Sequence, residues 1–304
     1  MNNLLDKALS IVMALFISVS VNQVSAQGVG SEVDVVQQRL FEYPEVPDTI
    51  VSLENRTNYL VQHFWENFDF SAPIRDERVF EATFRDYVTF FKYAHKTIVV
   101  SNIKELMRKA ESNKANFLLI AEVAERALYS PGAEYWSDEV YVPFLECVIE
   151  NNMLKKEEKA RYKYQLELLQ NSLMGQKAMN FEMKLVDGSK LKLWDIDAKM
   201  IFLFFNDDEC GDCSIARLRL STDVNLNKMI DSGEVVFVCV YMEKYSDEWA
   251  QKARTDSDKW IIGANNEVAD KYDLRIQPSV YILDANKAIL DKNISADGIK
   301  QLLN

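Results

Sequence analysis

Met200 to Cys213 reads MIFLFFNDDECGDC. Met200 to Phe205 is a continuous apolar run, the pattern of a strand buried on both faces. From about Gly211 to Ile230 the spacing of apolar residues is helical. Cys210-Gly211-Asp212-Cys213 therefore falls between a buried strand and the amino end of a helix. Backbone N–H groups there have no intrahelical partner, and the helix dipole adds positive potential, so a thiolate at the first cysteine is stabilised. Two intervening residues allow a disulfide across one helical turn. In that arrangement Cys210 is the exposed nucleophile, and Cys213 is the shielded thiol that resolves a mixed disulfide.

Reading outward, strand-like and helical pieces alternate after Gly175. Phe181–Val186 and Lys190–Trp194 flank Asp187-Gly188, a two-residue hairpin turn. Val235–Tyr241 is a second buried strand, and it contains Cys239. Asp247–Arg254 is helical, Trp260–Ile262 a short strand and Val268–Tyr272 a short helix. Val280–Leu283 and Ala288–Leu290 form a second hairpin around Asp284–Lys287, and Ser295 caps a last helix. Alternation of this kind predicts an α/β sandwich with a mixed central sheet flanked by helices. Gln277-Pro278 precedes the strand that starts at Val280. A proline there suits a cis X-Pro turn packed against the cysteine pair, with the backbone of Gln277 offering an edge to an extended substrate chain.

The preceding part of the chain has a different period. Between Leu53 and Gly175, apolar residues recur at helical spacing in Arg56–Phe68, Val79–Tyr93, Ile98–Ala110, Phe117–Tyr129, Val140–Glu150 and Glu157–Leu173, with a break at Ser130-Pro131-Gly132. This predicts an all-α domain of five or six helices. Leu9 to Val21 is an apolar run too short to span a bilayer comfortably, and Val24-Ser25-Ala26 follows it. That is the pattern of a signal peptide cleaved after Ala26. The expected organisation is 1–26 signal peptide, 27–52 acidic leader or linker, 53–175 helical domain and 176–304 α/β domain. The expected location is periplasmic or otherwise exported, with no membrane span once the signal is removed.

Composition narrows the function. The 304 residues are 48% hydrophobic and carry a formal charge of −12. Up to Gly175 there are 18 basic against 25 acidic residues, and beyond it 17 against 22. Neither half is basic, so nucleic acid is not an expected partner. Four cysteines do not make a disulfide scaffold. With two histidines, His63 and His95, and no second CxxC, a zinc site is not expected, and neither is an organic cofactor. Cys147 and Cys239 read as small buried hydrophobes. A thiol peroxidase would want a threonine shortly before its reactive cysteine, and Asn206–Glu209 offers none.

These features together resemble a thioredoxin-like domain of the TlpA-like/redoxin branch: the leading hairpin, the strand-CxxC-helix unit, the strand Val235–Tyr241, and Gln277-Pro278 before the last hairpin. Residues from Val46 to Leu173 are similar to a helical domain of unknown function common ahead of such domains in exported proteins. That likeness rests on Arg56, Tyr59, Leu60, His63, Phe64, Trp65 and Asn67-Phe68-Asp69-Phe70. The resemblance implies a thiol-disulfide oxidoreductase acting on disulfides of other exported proteins, re-reduced by a membrane electron donor. A partner-binding or assembly protein using an inactive thioredoxin fold as scaffold is the alternative. Two departures bear on the chemistry. Glu209 stands where the family usually has Trp, and the helix after the cysteines has no proline. Asp207, Asp208, Glu209 and Asp212 surround Cys210, and each opposes a thiolate by about 0.3–0.6 kcal/mol. The expected direction is therefore a reductase rather than a strong oxidant. Because Cys210 and Pro278 both lie beyond Gly175, that part alone is expected to fold and keep its dithiol chemistry.

Overall fold

The apolar run Met200–Phe205 lies in an interior strand of the sheet. In this computed structural model, which describes residues 40–254 and 257–302, Met200–Asn206 (β3) is hydrogen-bonded on both sides, with all but its first residue buried. The other strands are Glu182–Leu185 (β1), Lys190–Lys192 (β2), Val235–Tyr241 (β4), Ile261–Ala264 (β5), Ser279–Asp284 (β6) and Ile289–Ile294 (β7). They form one mixed sheet in the order β2-β1-β5-β4-β3-β6-β7. β3, β4 and β5 run parallel, and the remaining pairs are antiparallel. This is the expected thioredoxin-like architecture.

Alternation along β3 gives each face its own core. Phe202 and Phe204 face a layer with Phe237, Tyr241, Leu220 and Trp249, while Ile201, Leu203 and Phe205 face Val238, Val240, Tyr272 and Tyr281. The first layer is covered by Gly211–Ser221 (α7), Val224–Asp231 (α8), Asp247–Ala253 (α9) and Ala296–Leu302 (α10). The sequence pattern runs unbroken from Gly211 to Ile230, but the structure divides it at Thr222. Asp223 caps α8 by accepting the Leu226 N–H at 2.9 Å, and a side-chain acceptor at that position starts a new helix in place of continuing the old one. In the first hairpin, Gly188 takes φ +86°, the left-handed conformation that its turn requires. Gly263 in β5 has a different constraint: a Cβ there would lie 2.9 Å from Met183 Cγ and Sδ.

Among the described residues, six α-helices precede the sheet: Leu53–His63 (α1), Glu77–Thr89 (α2), Lys96–Ala110 (α3), Lys114–Leu128 (α4), Asp138–Glu150 (α5) and Lys156–Asn171 (α6). Side-chain caps fix several starts. Ser52 accepts the Asn55 N–H, Asp76 accepts those of Arg78 and Val79, and Asn113 those of Ala115 and Asn116. The residues that carried the resemblance, Phe64, Trp65 and Phe70, are buried in an aromatic core with Phe80, Phe84 and Tyr87. Each such side chain contributes about 1.5–3 kcal/mol of transfer free energy. Asn116 inside this region is fully satisfied: its amide donates to the Phe70 and Ala72 carbonyls and accepts the Ile74 N–H.

All described residues belong to one unit, Arg39–Asn304. The helices and the sheet meet along the segment after α6. Gly175 N–H donates to Ile289 O at 2.7 Å, Ile289 N–H to Gln176 O at 2.8 Å, and Ala178 N–H to Lys287 O at 2.8 Å. No described helix is long and apolar enough to cross a membrane. The proposed signal peptide, and the leader as far as Arg39, lie outside the described residues.

Candidate functional site

The carboxyl end of β3 delivers the chain to the cysteines through an acidic turn. Asp207 folds that turn: its carboxylate accepts the Glu209 N–H at 2.9 Å and its carbonyl accepts the Cys210 N–H at 3.2 Å. Cys210 then stands at the N-cap of α7, with Sγ 3.1 Å from the Cys213 N–H. The first sulfur therefore sits where helix-terminal N–H groups point. Cys210 and Cys213 form a disulfide, with Cα atoms 5.2 Å apart. Cys210 is partly exposed and Cys213 is completely buried, an asymmetry that suits an attacking and a resolving sulfur.

The second predicted element reaches the same end of the sheet. Gln277–Pro278 is a cis peptide. The next residue, Ser279, begins β6 directly opposite Phe205 of β3. Because β3 and β6 are antiparallel, the start of one lies beside the finish of the other, and this topology brings residues nearly seventy positions apart to one edge. The Gln277 amide nitrogen lies 4.0 Å from the Met242 sulfur, and Met242 N–H in turn donates to Asn206 O at 3.0 Å.

The four carboxylates predicted to modulate the site are not equivalent. Asp208 pairs with Lys252 of α9, whereas Glu209 and Asp212 lie exposed on the surface. Arg217, one turn beyond Cys213 on α7, donates to the Tyr241 hydroxyl and lies 5.6 Å from that ring's centroid. Lys252 thus opposes the acidic turn, and reading the turn alone overlooked it.

Two further polar groups were also missed. Asn206, the last residue of β3, is fully buried, and neither end of its amide is bonded among the described residues. Glu243 follows the end of β4 and has one carboxylate oxygen buried without a hydrogen bond among the described residues. Burial pushes its carboxyl above the ordinary range, reinforced by Asp208 and Asp207 and opposed by Lys252. The available signal was positional, since both residues lie where adjacent parallel strands end. The other cysteines are elsewhere: Cys239 is buried in β4, and burial pushes the Cys147 thiol in α5 up to about 11. No cluster of three or more His, Cys, Asp or Glu suited to a metal occurs among the described residues.

Comparison with known proteins agrees with this geometry. The AhpC/TSA family matches residues 174–292, and a domain of unknown function, DUF5106, matches residues 18–172. The chain belongs to the DUF5106 family. Behind its DUF5106 domain it carries a thioredoxin-like domain of the AhpC/TSA family. A thioredoxin-like protein from Bacteroides caccae is similar to both parts, with 26% identity and a TM-score of 0.77 over 88% of this chain and 98% of its own. The C-terminal domain of an uncharacterized protein from Bacteroides fragilis is 30% identical over 44% of this chain and 98% of its own, with a TM-score of 0.40. A domain of a possible thiol-disulfide isomerase from Cytophaga hutchinsonii is 27% identical over 43% of this chain and 90% of its own, with a TM-score of 0.36. No curated protein matches the chain.

Proposed function

We propose that this DUF5106 protein is an exported thiol-disulfide oxidoreductase that reduces or exchanges disulfides in other exported proteins. The observation that carries the reading is the asymmetric pair at the amino end of α7, with Cys210 partly exposed, Cys213 buried, and a backbone N–H directed at the first sulfur. Membership of a thioredoxin-like family supports it. In the reduced state the Cys210 thiolate attacks a substrate disulfide, forming a Cys210–substrate bond and releasing one substrate thiol, which takes up a proton. Cys213 loses its proton and attacks Cys210 Sγ. The Cys210–Cys213 bond forms and the second substrate thiol leaves. Two electrons pass to the substrate, and a membrane-bound dithiol donor restores the pair. The backbone at Gln277 and Pro278 holds the extended substrate chain beside the sulfurs, and the signal pattern ending at Ala26 sends the protein to an oxidising compartment.

A thiol titration tests this reading. After mild reduction, Cys210 is expected to react with an alkylating reagent well ahead of Cys213, and the unmodified pair to reoxidise reversibly with a low-molecular-weight disulfide. A Cys210 that stays inert, or a pair that cannot be cycled, leaves the scaffold role as the better account.

A further inference from the structure

Resting on the dithiol reading above, we propose that Asp138, in the helical part of the chain, is a positioning residue for substrate binding: it holds Arg275 and, through Arg275, sets the loop that carries Gln277 and Pro278.

The residues from Asp273 to Pro278 have few anchors of their own. At the start, Tyr281 donates its hydroxyl proton to Asp273 O at 2.9 Å, and Asp273 N–H donates to Ser172 Oγ at 3.1 Å. At the finish there is the Gln277 side chain against Met242 and the pairing of Ser279 with Phe205. Between them stands Arg275, which is held by four residues. Its guanidinium donates to Tyr129 O at 2.7 Å, lies 3.6 Å from the Tyr129 ring centroid and 4.3 Å from that of Trp136, and pairs with Asp138 and with Asp273. Lys292 of β7 completes the group, 2.6 Å from the second Asp138 oxygen. Tyr129, Trp136, Asp138 and Ser172 all belong to the helical part. Without it, the middle of the loop keeps only Asp273 as an anchor among the described residues.

The four charges are balanced and largely out of solvent: the side chain of Asp273 is 1% exposed, and those of Arg275, Asp138 and Lys292 are 9–10% exposed. Desolvation offsets most of what such a group gains in Coulomb energy, so it is a poor device for stability alone. What it supplies is direction. A planar guanidinium clamped between two rings, a carbonyl and a carboxylate has one orientation. Gln277 is two residues away, a span of about 7 Å at most, so a displaced Arg275 displaces the edge that a substrate strand would pair with. Asp138 itself is held for this purpose, at the first position of α5 where the helix dipole favours an anion, and it accepts the Trp136 indole N–H at 3.2 Å.

The test uses the full chain with dithiothreitol as reductant and two disulfides, insulin and hydroxyethyl disulfide. Only insulin presents an extended chain. In Asp138→Asn, KM for insulin is expected to rise about tenfold with kcat retained, while the rate on hydroxyethyl disulfide and the alkylation rate of Cys210 stay at parental values. Asp138→Glu restores the charge and should recover much of the affinity. Arg275→Lys keeps the cation but loses the fork, and it should shift KM the same way by less. It decides the matter if Asp138→Asn does not fold. An unchanged KM, or equal losses on both disulfides, overturns the inference. If the parent reduces neither substrate, the dithiol reading falls first.

Discussion

Lys252 on α9 pairs with Asp208 in the turn that leads into Cys210. The sequence shows four carboxylates around the nucleophile, and the fold neutralises one of them with a residue more than forty positions away. Asp207, Glu209 and Asp212 are the carboxylates left to oppose a Cys210 thiolate, and of these Asp207 also holds the turn through the Glu209 N–H. In the reduced protein, Glu209→Gln with Asp212→Asn should lower the Cys210 pKa by roughly half a unit, since removing negative neighbours favours the thiolate. Asp208→Asn alone should do little, because Lys252 already offsets that charge. Lys252→Met should move the titration upward. Thiolate absorbance against pH measures all three, and a double amide variant that titrates with the parent would show that this turn does not tune the site.

The thioredoxin-like domain alone, beginning near Gly175, should be less self-sufficient than its sequence implies. Removing the helices leaves Asp273, Arg275 and Lys292 without Asp138. We expect it to keep an alkylatable Cys210, to bind protein disulfides more weakly than the full chain, and to melt lower. Matching KM values for insulin in the two forms would show that the helices add nothing to binding.

The same group makes the junction acid-sensitive. Burial alone would raise the Asp138 carboxyl, but Lys292 and Arg275 more than offset this and hold it below the ordinary range. A lowered folded-state value means that its stabilisation is complete above the unfolded value, about pH 4, and is lost as pH falls through the lowered value. Burial pushes the Asp273 carboxyl the other way, against Arg275 and Lys292. Asp273 therefore takes up its proton first on acidification, and that step relieves a cost. Tm should change little from pH 7 to about 5 and drop steeply below pH 4. In Asp138→Asn the steep limb should be shallower, and superimposable curves would refute this assignment.

Packing gives a prediction that is independent of charge. In Gly263→Ala, the new Cβ would lie 2.9 Å from Met183 Cγ and Sδ in the adjacent strand, so β1 or its side chain must move. The expected loss is about 1–3 kcal/mol, read from urea unfolding, with the alkylation rate of Cys210 unchanged. A neutral result would mean that the Met183 side chain re-routes freely.

Local pattern revealed most of the fold. Met200–Phe205 and Val235–Tyr241 are apolar on both faces because both faces are covered, and the cysteine pair follows directly from where β3 ends. The break at Thr222 was hidden because the apolar spacing continues through it, and only the cap at Asp223 divides the helix. The rest of the site depends on residues brought together from far apart. Nothing near Asp138 in the chain announces Arg275 or Lys292, and nothing near Tyr241 announces Arg217. Asn206 looks like the polar end of a strand, and only the tertiary structure shows its amide fully buried at the end of β3.

The central claim is that Cys210 attacks disulfides and Cys213 resolves the product. Its most direct measurement is trapping in a Cys213→Ala variant exposed to exported proteins and separated without reductant. The account predicts covalent adducts through Cys210 that disappear on reduction, with none in Cys210→Ala. Equal adduct levels in both variants, or none in either, would contradict it.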